Sequence, residues 1–160
     1  MKNLTKLILI LNIILIAACQ NENKFEVYDG QINVLLPEEW NLKGIVIYDQ
    51  NENKVGEIPP PSELIIGQEY IENFKKGFSD DPESTKYIAN DSLLIDKEMW
   101  YLVSRKGTYE SSNGQTGYWF SYNFMRRCNS QSIYFTFYDY NGKLPKWTEE
   151  ILSNVKCNSK

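Results

Sequence analysis

The 160-residue chain contains no histidine. That removes the commonest general base and metal ligand. It also rules out a Ser-His-Asp or Cys-His arrangement built within the chain. There is no Gly-rich phosphate loop of either usual spacing and no C-x-x-C motif. Cysteine is scarce, with only Cys19, Cys128 and Cys157. Acidic neighbours do occur, at Glu38-Glu39, Asp80-Asp81 and Glu149-Glu150. Adjacent positions point to different faces of a strand or helix, so these pairs are poorly placed as catalytic dyads. They suit a turn, a helix exit and a solvated helix face. A pair of carboxylates brought together from distant loops would be the one hydrolytic arrangement left. The expectation is no enzyme, no metal site and no cofactor.

Long apolar runs are missing too. The longest, residues 7–16, is interrupted by Asn12 and falls well short of the roughly 20 residues that a spanning helix needs. Lys2 and Lys6 precede it, and small Ala17 and Ala18 follow before Cys19. This zoning is that of a secretory signal. With Cys19 directly after two small residues, the stretch resembles the lipobox of bacterial lipoproteins. The resemblance implies cleavage before Cys19 and acylation of its sulfur. Lipid chains contribute about 0.8 kcal/mol per buried CH₂, and stable anchoring takes more than one. The expected organisation is a signal over residues 1–18, a lipidated tether over 19–24 and one globular domain over 25–160. The expected location is the cell envelope, outside the cytoplasm and held to a bacterial membrane by lipid.

Export bears on the other two cysteines, because disulfides persist outside the reducing cytosol. Cys128 and Cys157 are expected to pair, closing about 30 residues and contributing about 3–4 kcal/mol in the loop-entropy model. The alternative, a metal or redox site, suits two cysteines so far apart poorly in a chain without histidine. Loss of residues 1–18 takes two lysines and no acid, moving the formal charge from −4 to −6 over 142 residues. Nucleic-acid affinity rests on Lys and Arg neutralising phosphate, so this acidic domain is not expected to bind it.

The pentapeptide QNENK at residues 20–24 recurs at 50–54, but the flanking sequences differ and no repeat is read. Asp29-Gly30 supplies the positive φ angles of a hairpin turn joining strands at 25–28 and 31–36. Strands at 44–48 and 54–58 follow, then Pro59-Pro60-Pro61. A helix is expected from Ser62, with Leu64, Gly67, Ile71, Phe74 and Phe78 on one face. Asp80-Asp81-Pro82 closes that unit. Extended segments are expected at 86–89, 92–95 and 98–105. Asn113-Gly114 should pair residues 100–109 with 117–126. A last strand at 132–138 precedes a closing helix over 146–156, with Trp147, Ile151, Leu152 and Val155 buried. Short connections require antiparallel pairing. The expected fold class is α+β, an antiparallel sheet of about six or seven strands flanked by helices.

The run INVLLPEEW at residues 32–40 is similar to the strand–Pro–any–any–Trp opening of PsbP-like and DcrB-like domains, found in many small bacterial lipoproteins. KVGEI, KEMWYLVSRK with GYWFSYNFM, SIYFTFY and ILSNVK follow in the order of that pattern. The resemblance covers residues 25–156. It implies an α/β/α sandwich whose members serve as photosystem accessory subunits, a Ran GTPase release factor, secretion adaptors and exported lipoproteins. A protein partner is therefore expected, with no active-site residues to carry over.

The aromatic strands offer a second reading. Tyr118, Phe120, Tyr122 and Phe124 share one face of their strand, and Trp119, Ser121, Asn123 and Met125 the other. Ile133, Phe135 and Phe137 lie opposite Tyr134, Thr136 and Tyr138. One face of each is core. Tyr118, Tyr122, Tyr134 and Tyr138 are taken as candidate ligand-binding residues, lining a groove that stacks a sugar or takes a peptide; otherwise their hydroxyls reach the rim of a covered sheet. Arg126-Arg127 has the chemistry to clamp a carboxylate or phosphate, though a pair at a strand end is ordinarily solvated. Asp91-Ser92-Leu93 resembles a three-residue O-glycosylation site of exported proteins, which would place the sugar on Ser92.

Overall fold

Asp29 and Gly30 both take positive φ, and the Gln31 amide donates to the Tyr28 carbonyl at 3.1 Å. The Asp-Gly pair thus turns the chain as its chemistry dictates, joining β1 (Asn23–Val27) to β2 (Ile32–Leu36). This computed structural model describes residues 23–63, 67–77, 85–110 and 112–158. The expected signal, the lipid site Cys19 and residues 20–22 of the tether lie outside the described residues. So do Leu64, Phe78 and Asp80-Asp81-Pro82.

The remaining elements are β3 (Asn41–Lys43), β4 (Val46–Tyr48), β5 (Lys54–Glu57), β6 (Ser62–Glu63), α1 (Gly67–Gly77), β7 (Thr85–Ile95), β8 (Glu98–Glu110), β9 (Thr116–Cys128), β10 (Gln131–Asp139), α2 (Trp147–Ser153) and β11 (Lys156–Cys157). All strand pairing is antiparallel. The fold is α+β, as expected. The strand count is larger than expected: among the described residues the main sheet has eight strands, and β1-β2-β11 form a second sheet of three. The main path runs β3-β4-β5-β10-β9-β8-β7, with β6 also on β10. The extra strands are short segments that sequence patterning reads as a turn, a helix cap or the end of the closing helix.

Three of these departures have plain physical causes. Ser62 and Glu63 pair with Ser132 and Gln131, so they extend the sheet instead of capping a helix, whose described residues are Gly67–Gly77. Prolines 59–61 have no N–H to give the ladder, which splits β5 from β6 along the same side of β10. The two segments expected at 86–89 and 92–95 are one strand with a register shift between Tyr87 and Ala89. The closing helix stops at Ser153, where Ser153 Oγ and Asn154 Nδ2 donate to the Glu150 carbonyl at 2.8 and 2.9 Å. The chain then joins β2 as β11.

The two faces of the main sheet differ. On one, Phe124, Phe135, Phe137, Trp100 and Ile133 pack with Ile32, Val34 and Leu36 of the small sheet and Ile151 and Leu152 of α2. Trp147 stacks edge-on with both Trp40 and Phe137, at 4.9 and 5.2 Å between ring centres. Asn23 Nδ2 donates to the carbonyl of Trp40 and, at 3.4 Å, to that of Pro37, tying down the start of β1. On the other face, Tyr70 and Ile71 of α1 cover Val103 and Met125. Layers therefore lie on both sides of the sheet, with a small sheet sharing one of them.

Cys128 and Cys157 form a disulfide, with Cα atoms 5.7 Å apart. It joins the end of β9 to β11. Arg126 is buried beside it, contrary to the solvated strand end expected of an Arg pair. Its Nη2 donates to the Val155 carbonyl at 3.1 Å, and its Nη1 lies 3.3 Å from a Glu98 carboxylate oxygen. The guanidinium sits over the Trp100 ring at 5.0 Å.

Candidate functional site

Directly opposed residues of an antiparallel ladder share a face. Arg105 opposes Ser121, Gly107 opposes Trp119, Tyr109 opposes Gly117, and Ser121 opposes Tyr138. Arg105, Tyr109, Trp119 and Tyr138 therefore project from the same face as α1, displaced along the sheet from the residues that the helix covers. A bulge brings Lys54 to them. Ile47 pairs with Gly56 and Tyr48 with Lys54, so Val55 is the extra residue. This puts Lys54 and Glu57, three apart, on one face, where they form an ion pair.

The result is a groove of about 740 Å³ lined, among the described residues, by Lys54, Arg105, Tyr109, Trp119, Tyr138 and Tyr140. Its size falls in the range of ligand pockets, roughly 300–1,000 Å³. The rings are held in place by two glycines. A Cβ at Gly107 would overlap the Trp119 indole, and one at Gly117 would overlap the Tyr109 ring. Each of these two aromatics lies across the bare backbone of its partner. Tyr109 then meets Tyr140 edge-on at 6.3 Å. Arg105 sits over Trp119 at 5.2 Å and Lys54 over Tyr138 at 5.0 Å, both cation–π distances.

A polar chain behind the groove orients Arg105. Arg105 Nε donates to Ser121 Oγ at 2.8 Å, and Asn123 Nδ2 donates to the same oxygen at 3.0 Å and to the Val103 carbonyl at 3.2 Å. Thr136 Oγ1 donates to Asn123 Oδ1 at 3.0 Å, and the Tyr70 hydroxyl donates to the Asn123 carbonyl at 3.3 Å. Ser121 is fully buried. Polar groups so placed must pair with one another, and here they link α1 to the groove. Burial lowers the Arg105 pKa. Burial, followed by the Glu57 carboxylate, raises that of the Tyr138 hydroxyl, and the hydrogen bond to Glu57 raises that of Lys54.

The four tyrosines taken from the sequence do not form one site. Tyr138 lines the groove. Tyr134 is on the same face but under the helix, with its hydroxyl 2.6 Å from Ser62 Oγ and its ring 5.8 Å from that of Tyr70. Tyr122 opposes Phe137 and is buried in the core of the opposite face. Tyr118 lies on that opposite face too, exposed, with Lys106 Nζ 3.4 Å from its ring centre. The cause is alternation: residues 118 and 122 point away from 119 and 121, whose side pairs with 138. Lys54, Arg105, Tyr109, Trp119 and Tyr140 were not singled out as a site from the sequence. The available signal was the mirrored Gly-x-aromatic spacing, Gly107-Thr108-Tyr109 and Gly117-Tyr118-Trp119, around the Asn113-Gly114 turn.

A second cavity, of about 600 Å³, lies by the disulfide, with Arg126, Arg127, Lys156, Asp96 and Glu98 among its lining. It mixes both signs of charge. Among the described residues no cluster of three or more His, Cys, Asp or Glu has metal-binding geometry, and no helix is long and apolar enough to cross a membrane. Ser92 is exposed on β7.

No family model and no curated protein matches the chain. Solved structures do. The solution structure of cyanobacterial PsbP (CyanoP) from Synechocystis sp. PCC 6803 matches with a TM-score of 0.54 at 12% identity, over 84% of this chain and 91% of that one. A crystal structure of a protein from Bacteroides thetaiotaomicron matches with a TM-score of 0.53 at 15% identity. That match covers 88% of this chain, which spans half the length of the Bacteroides protein. The fold is PsbP-like.

Proposed function

We propose that this chain is a non-enzymatic binding protein of the bacterial cell envelope, held to the membrane by lipid on Cys19, and that it takes its ligand in the groove beside α1. The carrying observation is the groove itself: four aromatic rings and two cations brought to one patch of sheet by register, a bulge and two glycines. The lipobox-like sequence supports the anchor. The Cys128–Cys157 disulfide supports a location outside the reducing cytosol.

Two measurements test this. Cys19→Ala should move the protein from the membrane to the soluble fraction and abolish labelling by radioactive fatty acid. For the groove, a thermal-shift screen of saccharides and peptides should return a compound that raises the melting temperature of the native chain but not of Trp119→Ala. Compounds that stabilise both chains equally would place binding elsewhere.

A second reading, engagement of a protein partner, has its own observation. Leu94 and Met99 are cross-strand partners next to the β7–β8 turn, and they are 69% and 45% exposed. An exposed apolar pair fits a protein contact. Crosslinking from position 94 in intact cells should then capture a defined partner that Met99→Asp abolishes.

A further inference from the structure

We infer that one end of the main sheet docks on the bilayer, with Tyr109, Tyr118 and Tyr140 set in the lipid–water interface; this rests on the lipid anchor at Cys19. Two routes through the fold place Asn23, four residues after Cys19, at that end. Its side chain is held at the Pro37 and Trp40 carbonyls, next to Asn41. Asn41 pairs with Tyr48, Tyr48 pairs with Lys54, and Lys54 sits over Tyr138. The small sheet agrees: its Leu36 end carries Asn23, whereas its Ile32 end carries Cys157 and the disulfide. Level with Tyr138 are Ser121 and Arg105. Tyr118 and Tyr109 lie three and four positions further out on the same two strands, about 10–13 Å at the strand rise. The disulfide marks the far end. Met99, ten positions from Tyr109 on β8, is about 33 Å away along the strand.

Three features suit a lipid surface. All three tyrosines are exposed, and a ring with a hydroxyl at its tip is enriched where apolar and wet layers meet. Lys106 holds its ammonium 3.4 Å from the Tyr118 ring centre, and so long a stem can lie along apolar surface with its charge in water. The rings also occupy both faces of the sheet, Tyr109 and Tyr140 on one and Tyr118 on the other. A partner seated on one face would miss part of the set, whereas a flat surface met end-on touches both. Neighbouring Lys106, Glu110, Asp139 and Lys143 balance in sign, so the rings and not net charge make the contact. The groove, which Tyr109 and Tyr140 help to line, then opens beside the bilayer.

The test is hydroxyl-radical footprinting of residues 19–160 joined through Cys19 to a maleimide phospholipid in phosphatidylcholine vesicles. Pairing of Cys128 with Cys157 leaves Cys19 as the one thiol to react. The reference is the Cys19→Ala chain free in solution. Tyr109, Tyr118 and Tyr140 should react several-fold more slowly on the vesicle, and Met99 at an unchanged rate. Tyr118→Ser combined with Tyr140→Ser leaves the Tyr109 ring on Gly117 and should return Tyr109 to its rate in solution. Adding phosphatidylglycerol should change none of these. Equal tyrosine rates with and without the vesicle, protection that extends to Met99, or protection that appears only with phosphatidylglycerol overturns the docking. Because the lipid is attached chemically, the footprint does not depend on acylation in the cell. Failure of fatty-acid labelling at Cys19 with the footprint intact overturns the anchor alone, and labelling without the footprint overturns the docking alone.

Discussion

The indole of Trp119 lies across the α-carbon of Gly107, its cross-strand partner in the β8–β9 ladder. Two residues on, the arrangement is reversed, with the Tyr109 ring across Gly117. The strands exchange roles, each giving one ring and one bare backbone position. An aromatic covering a strand glycine restores the packing that glycine forgoes, and here it also fixes two of the four rings that line the groove.

That pairing predicts strong coupling. Gly107→Val should cost roughly 1–3 kcal/mol, the usual range for overpacking. In a Trp119→Ala background Gly107→Ala should be nearly neutral, because the clash has gone. Urea unfolding of the four members of this cycle, with Ala at both positions, measures the interaction. Additive costs would mean that the ring does not rest there.

The disulfide should contribute about 3–4 kcal/mol, since a loop of this length falls between the short and long cases of the entropy model. Cys157→Ser should lower the urea midpoint accordingly. Cys128→Ser added to it should change little more, and reductant should destabilise the native chain but neither variant.

Arg126 and Glu98 form an unequal pair. Glu98 is 58% exposed and Arg126 only 5%, so Glu98→Gln should cost below about 1 kcal/mol, as exposed charges do. Arg126→Met strips the Val155 carbonyl of its donor, and an unsatisfied buried group costs about 1–3 kcal/mol. Chemical denaturation of each variant distinguishes the two sides.

Tyr70 gives a pH signature. Burial pushes its hydroxyl far above the ordinary tyrosine value of 10.0. The unfolded chain therefore releases this proton first as pH rises. From about pH 10 upward the native state binds more protons than the unfolded one, and stability falls with pH. Below that range the contribution is fully present. Tyr70→Phe should make the alkaline decline shallower, while costing about 1 kcal/mol at neutral pH for the lost bond to the Asn123 carbonyl. Urea titrations between pH 7 and pH 11 read both effects.

Much of the fold could be read from the chain because its signals were local. Asp29-Gly30 and Asn113-Gly114 mark their hairpins, and the alternation along residues 117–126 and 132–138 assigns each side chain its face. The strand at Ser62 and Glu63 was hidden because Ser62 pairs with β10 as readily as it would cap a helix. The eight-strand count depends on β3 and β6, pieces too short to show a period. The groove was only partly legible. Alternation separated Tyr118 and Tyr122 from Tyr138 once the strands were paired, but choosing tyrosines by type placed both sets together. Lys54 reaches the groove through a bulge at Val55, and no local pattern announces that. Arg105 owes its place to Ser121, a residue that looks unremarkable in sequence.

The clamp on Asn23 has a geometric corollary for a chain acylated at Cys19. Its amide is held by the Trp40 and Pro37 carbonyls, so slack in the leash can come only from the four peptide links between positions 19 and 23. Stretched out, they reach about 14 Å, less than half the thickness of a hydrocarbon core of about 30 Å. The folded body would then skim the headgroups instead of swinging freely, and would sample only what diffuses along that surface or is itself rooted in it.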